Sequence, residues 1–126
     1  MRQRTVLLAD DYDDARSILK MLLEMEGCRV VEAADGREAV ELAARHSSEI
    51  DLILMDLTMP GLDGYEATRR ILAGEGTRHI PVVALSALCE QDAKSKAIEA
   101  GCSDCLPKPL DFKLVEELLK RLPERS

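Results

Sequence analysis

Five times along the chain, a short aliphatic or β-branched run is followed by a longer segment whose apolar residues return every three or four positions. Few architectures accept that pattern. A short continuous apolar run suits a strand covered on both faces, and the amphipathic segment after it suits the helix that carries the chain back across the sheet. The strand-like runs fall at 5–9, 28–33, 52–55, 81–85 and around 104–106. The first helical stripe comprises Ala15, Ile18, Leu19, Leu22 and Leu23 and stops at Gly27, a C-cap signal. Asp35, three residues before Glu38, opens a second helix through Ala39, Val40, Leu42 and Ala43 to about residue 46. A loop with Pro60, Gly61 and Gly64 leads to a third through Ala67 and Ile71, which Gly74 and Gly76 end. A fourth spans about 90–100 before Gly101, and the last carries Phe112, Val115, Leu118, Leu119 and Leu122 ahead of Pro123. Right-handed crossovers then predict an α/β doubly wound (βα)5 sandwich, a five-stranded parallel sheet with helices on both faces.

The 126 residues leave no room for a second core of similar size, so one domain over 1–126 is expected. Composition serves mainly to exclude. A formal charge of -7 argues against nucleic acid as a direct ligand, because phosphate-backbone binding draws on clustered Lys and Arg. No apolar run approaches the ~20 residues needed to span a bilayer, and no signal-peptide profile follows Arg2 and Arg4. A cytoplasmic protein without membrane insertion is expected. The four cysteines then read as small buried hydrophobes, and Cys102-Ser103-Asp104-Cys105 is a lone CxxC without a second pair to complete a zinc site.

Ligands of such sheets gather beyond the carboxyl ends of the strands. At those positions stand Asp10 and Asp11 after the first strand, Asp56 after the third, Ser86 after the fourth and Lys108 after the fifth. Each has a plain structural explanation alone: the first acids can cap or charge the N-terminus of a helix, Ser86 can cap the next, and Lys108 can be a solvated charge. Together at four strand ends they are better explained as one site. Three clustered carboxylates repel, and a cation relieves them. Magnesium takes oxygen ligands and commonly joins one or two carboxylates to a phosphate, while Lys108 and Ser86 supply a charge and a hydroxyl to the same group.

The stretches VLLADDYDDAR, LILMDLTMPGLDGYEATRRI, IPVVALSA and AGCSDCLPKPLD resemble the receiver domains of bacterial two-component response regulators. The resemblance covers nearly the whole chain, and the intervals of 30 residues from Asp56 to Ser86 and 22 from Ser86 to Lys108 are ordinary for that family. It implies a flavodoxin-like strand order 2-1-3-4-5. It implies that Asp56 accepts a phosphoryl group from a phosphohistidine of a sensor histidine kinase or histidine phosphotransfer protein. Asp11 is implied as a direct magnesium ligand, Asp10 as one acting mainly through coordinated water, and the Thr58 carbonyl as the last protein ligand. Ser86 and Lys108 would engage the phosphoryl group, and an apolar Leu88 would shield it from water.

The domain so described supplies chemistry to its own modification and is not a turnover enzyme. An unknown downstream protein would read the modification, from a monomer or weak dimer, in the manner of stand-alone, single-domain regulators. Many receivers carry Phe or Tyr three residues before the Lys, where this chain has Cys105. A thiol is too small to swing between two pockets, so the response is expected to run through backbone and helix shifts.

Three other functions share parts of the pattern. An FMN carrier needs a Ser/Thr-rich phosphate loop after the first strand, where this chain has acids. A haloacid-dehalogenase-type phosphatase places a second Asp two residues after the first, where Thr58 stands. The serious alternative is a non-phosphorylated protein-interaction module that retains the receiver fold; the intact set of Asp10, Asp11, Asp56, Ser86 and Lys108 weighs against it, and magnesium-dependent labelling with a small phosphodonor separates the two.

Overall fold

A computed structural model describes residues 3–59, 61–87 and 91–122. Five strands and five helices alternate: β1 (Thr5–Ala9), α1 (Asp13–Met25), β2 (Arg29–Ala33), α2 (Gly36–Arg45), β3 (Leu52–Asp56), α3 (Gly64–Ala73), β4 (Val82–Ser86), α4 (Gln91–Ala100), β5 (Asp104–Pro107) and α5 (Phe112–Lys120). All strand pairs are parallel, in the order β2-β1-β3-β4-β5. The reversal of direction after β1 places β1 and β3 side by side in the middle of the sheet, so the two strands with the most acidic ends are neighbours.

Successive side chains of a strand face opposite ways, and the sheet carries a core on each side. Leu7, Ile53, Met55 and Ala84 pack with Ala39 and Ala43 of α2, Ala67 and Ile71 of α3 and Ala97 of α4. Val6, Leu8, Leu54 and Leu85 pack with Leu19 and Leu23 of α1 and Val115 and Leu118 of α5. The three inner strands are buried along almost their whole length, which explains their unbroken apolar sequences.

The helix boundaries follow the local chemistry. Gly27, just past the C-cap of α1, has φ +86°, a left-handed conformation that glycine adopts without steric penalty. Asp35 caps α2 by accepting the Glu38 N–H at 2.8 Å, and Glu38 reaches back to the N–H of Ala34, one residue earlier than a strict capping box requires. Asp63 and Asp111 cap α3 and α5 in the same way.

Two expected core positions differ. Ile18 of α1 is 56% exposed and Phe112 is 42% exposed, because α1 turns only Leu19 and Leu23 fully inward and Phe112 is the first residue of α5, at the rim. Strand β3 runs one residue further than its apolar run, taking in Asp56, and β5 extends to Pro107. Cys28, Cys102 and Cys105 are buried and form no disulfide among the described residues, and the Cys102 thiol lies 3.8 Å from the Thr68 hydroxyl, with burial pushing its pKa up. Pro60, Leu88, Cys89, Glu90 and Pro123 lie outside the described residues. Among those described, no helix is long and apolar enough to cross a membrane.

Candidate functional site

Asp10 follows directly on β1, and the sheet ladder holds its backbone: its N–H donates to the Ala33 carbonyl at 3.1 Å. Its carboxylate is 1% exposed and doubly engaged, accepting the Tyr12 N–H at 2.9 Å and the Lys108 ammonium at 2.9 Å. Asp11, the next residue, is exposed. Asp56, at the end of the adjacent β3, is 5% exposed; one oxygen accepts the Thr58 N–H at 3.1 Å and the other faces Lys108 at 3.4 Å. One carboxylate oxygen from each of Asp10, Asp11 and Asp56 lies within 4.8 Å of the other two.

Ser86 ends β4, half-buried, and its carbonyl accepts the backbone N–H of Lys108 at 2.9 Å. That bond fixes where the lysine emerges. The Lys108–Pro109 peptide is cis. Four of the expected residues, Asp10, Asp11, Asp56 and Lys108, therefore meet in one crevice. Ser86 anchors the strand end beside it, and Thr58 contributes a backbone donor while its side chain stays exposed.

The charges in the crevice do not balance. Burial pushes the Asp56 carboxyl up to about 6, and the neighbouring Asp10 adds to the rise, while the Thr58 N–H and the Lys108 charge oppose it. Burial would lower Lys108, but its hydrogen bond to Asp10 and the charges of Asp56 and Asp10 outweigh that and hold its pKa above the ordinary lysine value. One ammonium thus faces three carboxylates. A small divalent cation corrects the deficit, and a donor set made only of hard oxygens fits magnesium better than a soft-ligand metal.

Two contributors are not evident from sequence spacing. Gly64 begins α3 against the end of β3, where an added Cβ would lie 2.2 Å from the Asp56 carbonyl oxygen, so only glycine lets the helix approach the acid's backbone so closely. Arg16 of α1 donates to the Asp10 carbonyl at 2.7 Å from behind the crevice. Its distance of five residues from Asp11 was the only signal available.

The family model for the response regulator receiver domain matches residues 6–121. The chain belongs to this family. A receiver domain is the phosphoacceptor module of two-component signalling, and the strand order and helix placement of this chain are those of the family's solved structures. The receiver domain of the sensor histidine kinase PA1611 from Pseudomonas aeruginosa PAO1, solved with a magnesium ion coordinated in its active-site cleft, superposes with a TM-score of 0.88 at 36% identity, over 96% of this chain and 98% of that one. The chemotaxis protein CheY of Pseudomonas aeruginosa is 31% identical over 121 residues, covering 95% of this receiver and 96% of CheY. Hybrid signal transduction histidine kinase M of Dictyostelium discoideum is 36% identical over 120 residues. There the match covers 93% of this receiver and 5% of the relative, and several other relatives are likewise matched over less than a quarter of their length. The relatives matched along their whole length, such as CheY, are signalling proteins.

Proposed function

We propose that this receiver takes a phosphoryl group on Asp56 from the phosphohistidine of a sensor histidine kinase or histidine phosphotransfer protein. One observation carries the assignment: both carboxylate oxygens of Asp10 are engaged at 2.9 Å and Asp11 is exposed, whereas Asp56, the last residue of buried β3, keeps an oxygen that Lys108 holds only loosely, at 3.4 Å. A carboxylate oxygen of Asp56 attacks phosphorus, the phosphorus–nitrogen bond breaks, and its electron pair returns to the imidazole. Asp56 must be ionised for this, and a pKa of about 6 leaves it so at neutral pH. Magnesium, held by Asp10, Asp11, Asp56 and the Thr58 carbonyl, would neutralise charge on the transferring oxygens. Lys108 moves little to meet the phosphoryl group, since its ammonium already sits between Asp10 and Asp56. Ser86, on the neighbouring strand, offers its hydroxyl to the same group.

The donor protein has to bring its histidine to the crevice, and a groove of about 500 Å³ lined by Tyr12, Ala15, Ile18, Lys108, Pro109 and Leu110 opens beside it. Covering that groove would bury the exposed Tyr12 and Ile18. The domain over 1–126 acts in the cytoplasm as a monomer or weak dimer, turns over no substrate of its own, and signals by changing its affinity for a downstream protein.

Intact-mass spectrometry after incubation with acetyl phosphate tests the assignment. One phosphoryl adduct is expected with magnesium and none in excess chelator or on Asp56→Asn. The same adduct on that variant, or equal labelling in chelator, would sink it.

A further inference from the structure

The guanidinium of Arg16 joins three pieces of backbone that meet behind the acidic crevice. Nη1 donates to the Asp10 carbonyl at 2.7 Å, Nε to Glu32 of β2 at 3.2 Å, and Nη2 to Asp13 in the first turn of α1 at 2.6 Å. Lys20, one helical turn further on, holds the other oxygen of Glu32 at 3.3 Å. The Arg16 side chain is 14% exposed, and its planar fork suits three acceptors in fixed directions.

With this contact, every polar atom of Asp10 has a partner: its N–H on Ala33, its two carboxylate oxygens on Tyr12 and Lys108, and its carbonyl on Arg16. The carbonyl matters most, because it belongs to the peptide unit that joins Asp10 to Asp11. Fixing that oxygen fixes the plane of the peptide, and the plane sets the direction in which Asp11 leaves the chain. Asp11 is exposed, so the backbone that carries it has the main part in placing its carboxylate against those of Asp10 and Asp56.

We infer that Arg16 is the positioning residue of the metal site, holding the Asp10–Asp11 peptide in the orientation that gathers the three carboxylates, with Glu32 as its anchor on β2. The inference rests on magnesium binding at Asp10, Asp11 and Asp56. Arg16 touches neither the metal nor the phosphoryl group. Its charge is matched by Asp13 and Glu32, so its effect on the site is one of geometry rather than of added positive potential.

Calorimetric magnesium titration of the unphosphorylated protein separates these roles, with urea unfolding of each variant run alongside. Arg16→Met is expected to weaken magnesium binding about tenfold, the low end of what partners behind metal ligands contribute. Arg16→Lys keeps the charge without the fork and should recover only part of the loss. Glu32→Gln should weaken binding about threefold alone and have no further effect in the Arg16→Met background, since it works through the arginine. A purely structural staple would lower the urea midpoint and leave the magnesium affinity of the folded protein unchanged; that result overturns the inference, as do losses from Arg16→Met and Glu32→Gln that simply add. Should Arg16→Met not fold, Arg16→Lys and Glu32→Gln decide by the same criterion. Asp11→Ala distinguishes the two levels: undiminished magnesium binding there refutes the site itself, whereas loss there with none in the Arg16 variants refutes only the positioning role.

Discussion

Replacing Asp56 by Asn should make the metal-free protein more stable at neutral pH, even though it destroys the proposed acceptor. The Asp56 carboxyl has an ordinary pKa of 3.8 and is raised to about 6 in the folded chain, chiefly by burial. Between those values the folded state binds more protons at this group than the unfolded one, so the contribution of Asp56 to stability is greatest below pH 4, falls as pH rises through the window, and levels off above about 6. The gap corresponds to about 3 kcal/mol at pH 7.5 and shrinks to under about 1 kcal/mol at pH 4. Asn carries no charge to bury and still offers an oxygen to the Thr58 N–H. The attraction of Lys108 is already contained in the raised value, so it needs no further correction. Urea unfolding in excess chelator should therefore show a difference between variant and wild type that widens from under about 1 kcal/mol near pH 4 to 2–3 kcal/mol near pH 7.5. Magnesium at a hundred times its dissociation constant should return about 2.7 kcal/mol to the wild type and much less to the variant. A difference that does not depend on pH, or a variant less stable than wild type at pH 7.5, would refute the claim that burial of this charge is costly.

Gly64→Ala should cost more than about 2 kcal/mol by urea unfolding, because the new methyl meets backbone rather than a yielding side chain, and should slow adduct formation in a mass time course by displacing the end of β3. Cys105 is 3% exposed within the core on the α3 and α4 side, so Cys105→Tyr should destabilise by about 1–3 kcal/mol through overpacking, read from the same midpoints. Asp111→Ala should remove about 1 kcal/mol by uncapping α5 while leaving the magnesium titration unchanged.

The sheet was legible because its inner strands are buried on both faces, and Leu52, Ile53, Leu54 and Met55 can hardly be anything else. Asp56 could be placed because an acid after such a run must lie at a strand end. Ile18 could not be placed, since a wide apolar stripe on a helix does not say which edge faces the sheet; in α1 the stripe has one buried edge and one turned to solvent. The Asp63 cap carries the same signal as Asp35, an acid three residues on, whereas Asp111 is followed by Leu114 and gives no such mark. Arg16 is least visible of all. On a helix surface an arginine reads as a solvated charge, and its meaning depends on Glu32, sixteen residues away on β2. Pairings of that kind are created by the fold and leave no local trace.

The ion pair between Lys108 and Asp10 joins residues 98 positions apart, and β5, the strand that delivers the lysine, is both the last strand made and an outer edge of the sheet. During synthesis the three acids therefore exist long before their counter-charge. At about 5–20 residues per second, the 52 positions from Asp56 to Lys108 take roughly 3–10 s to translate. Throughout that interval a nascent chain carries Asp56 without the ammonium that faces it, and β4 lacks the neighbour that pins Ser86 to its place. The proposed site is therefore complete only once β5 has paired with β4, so its assembly waits on the last strand of the sheet.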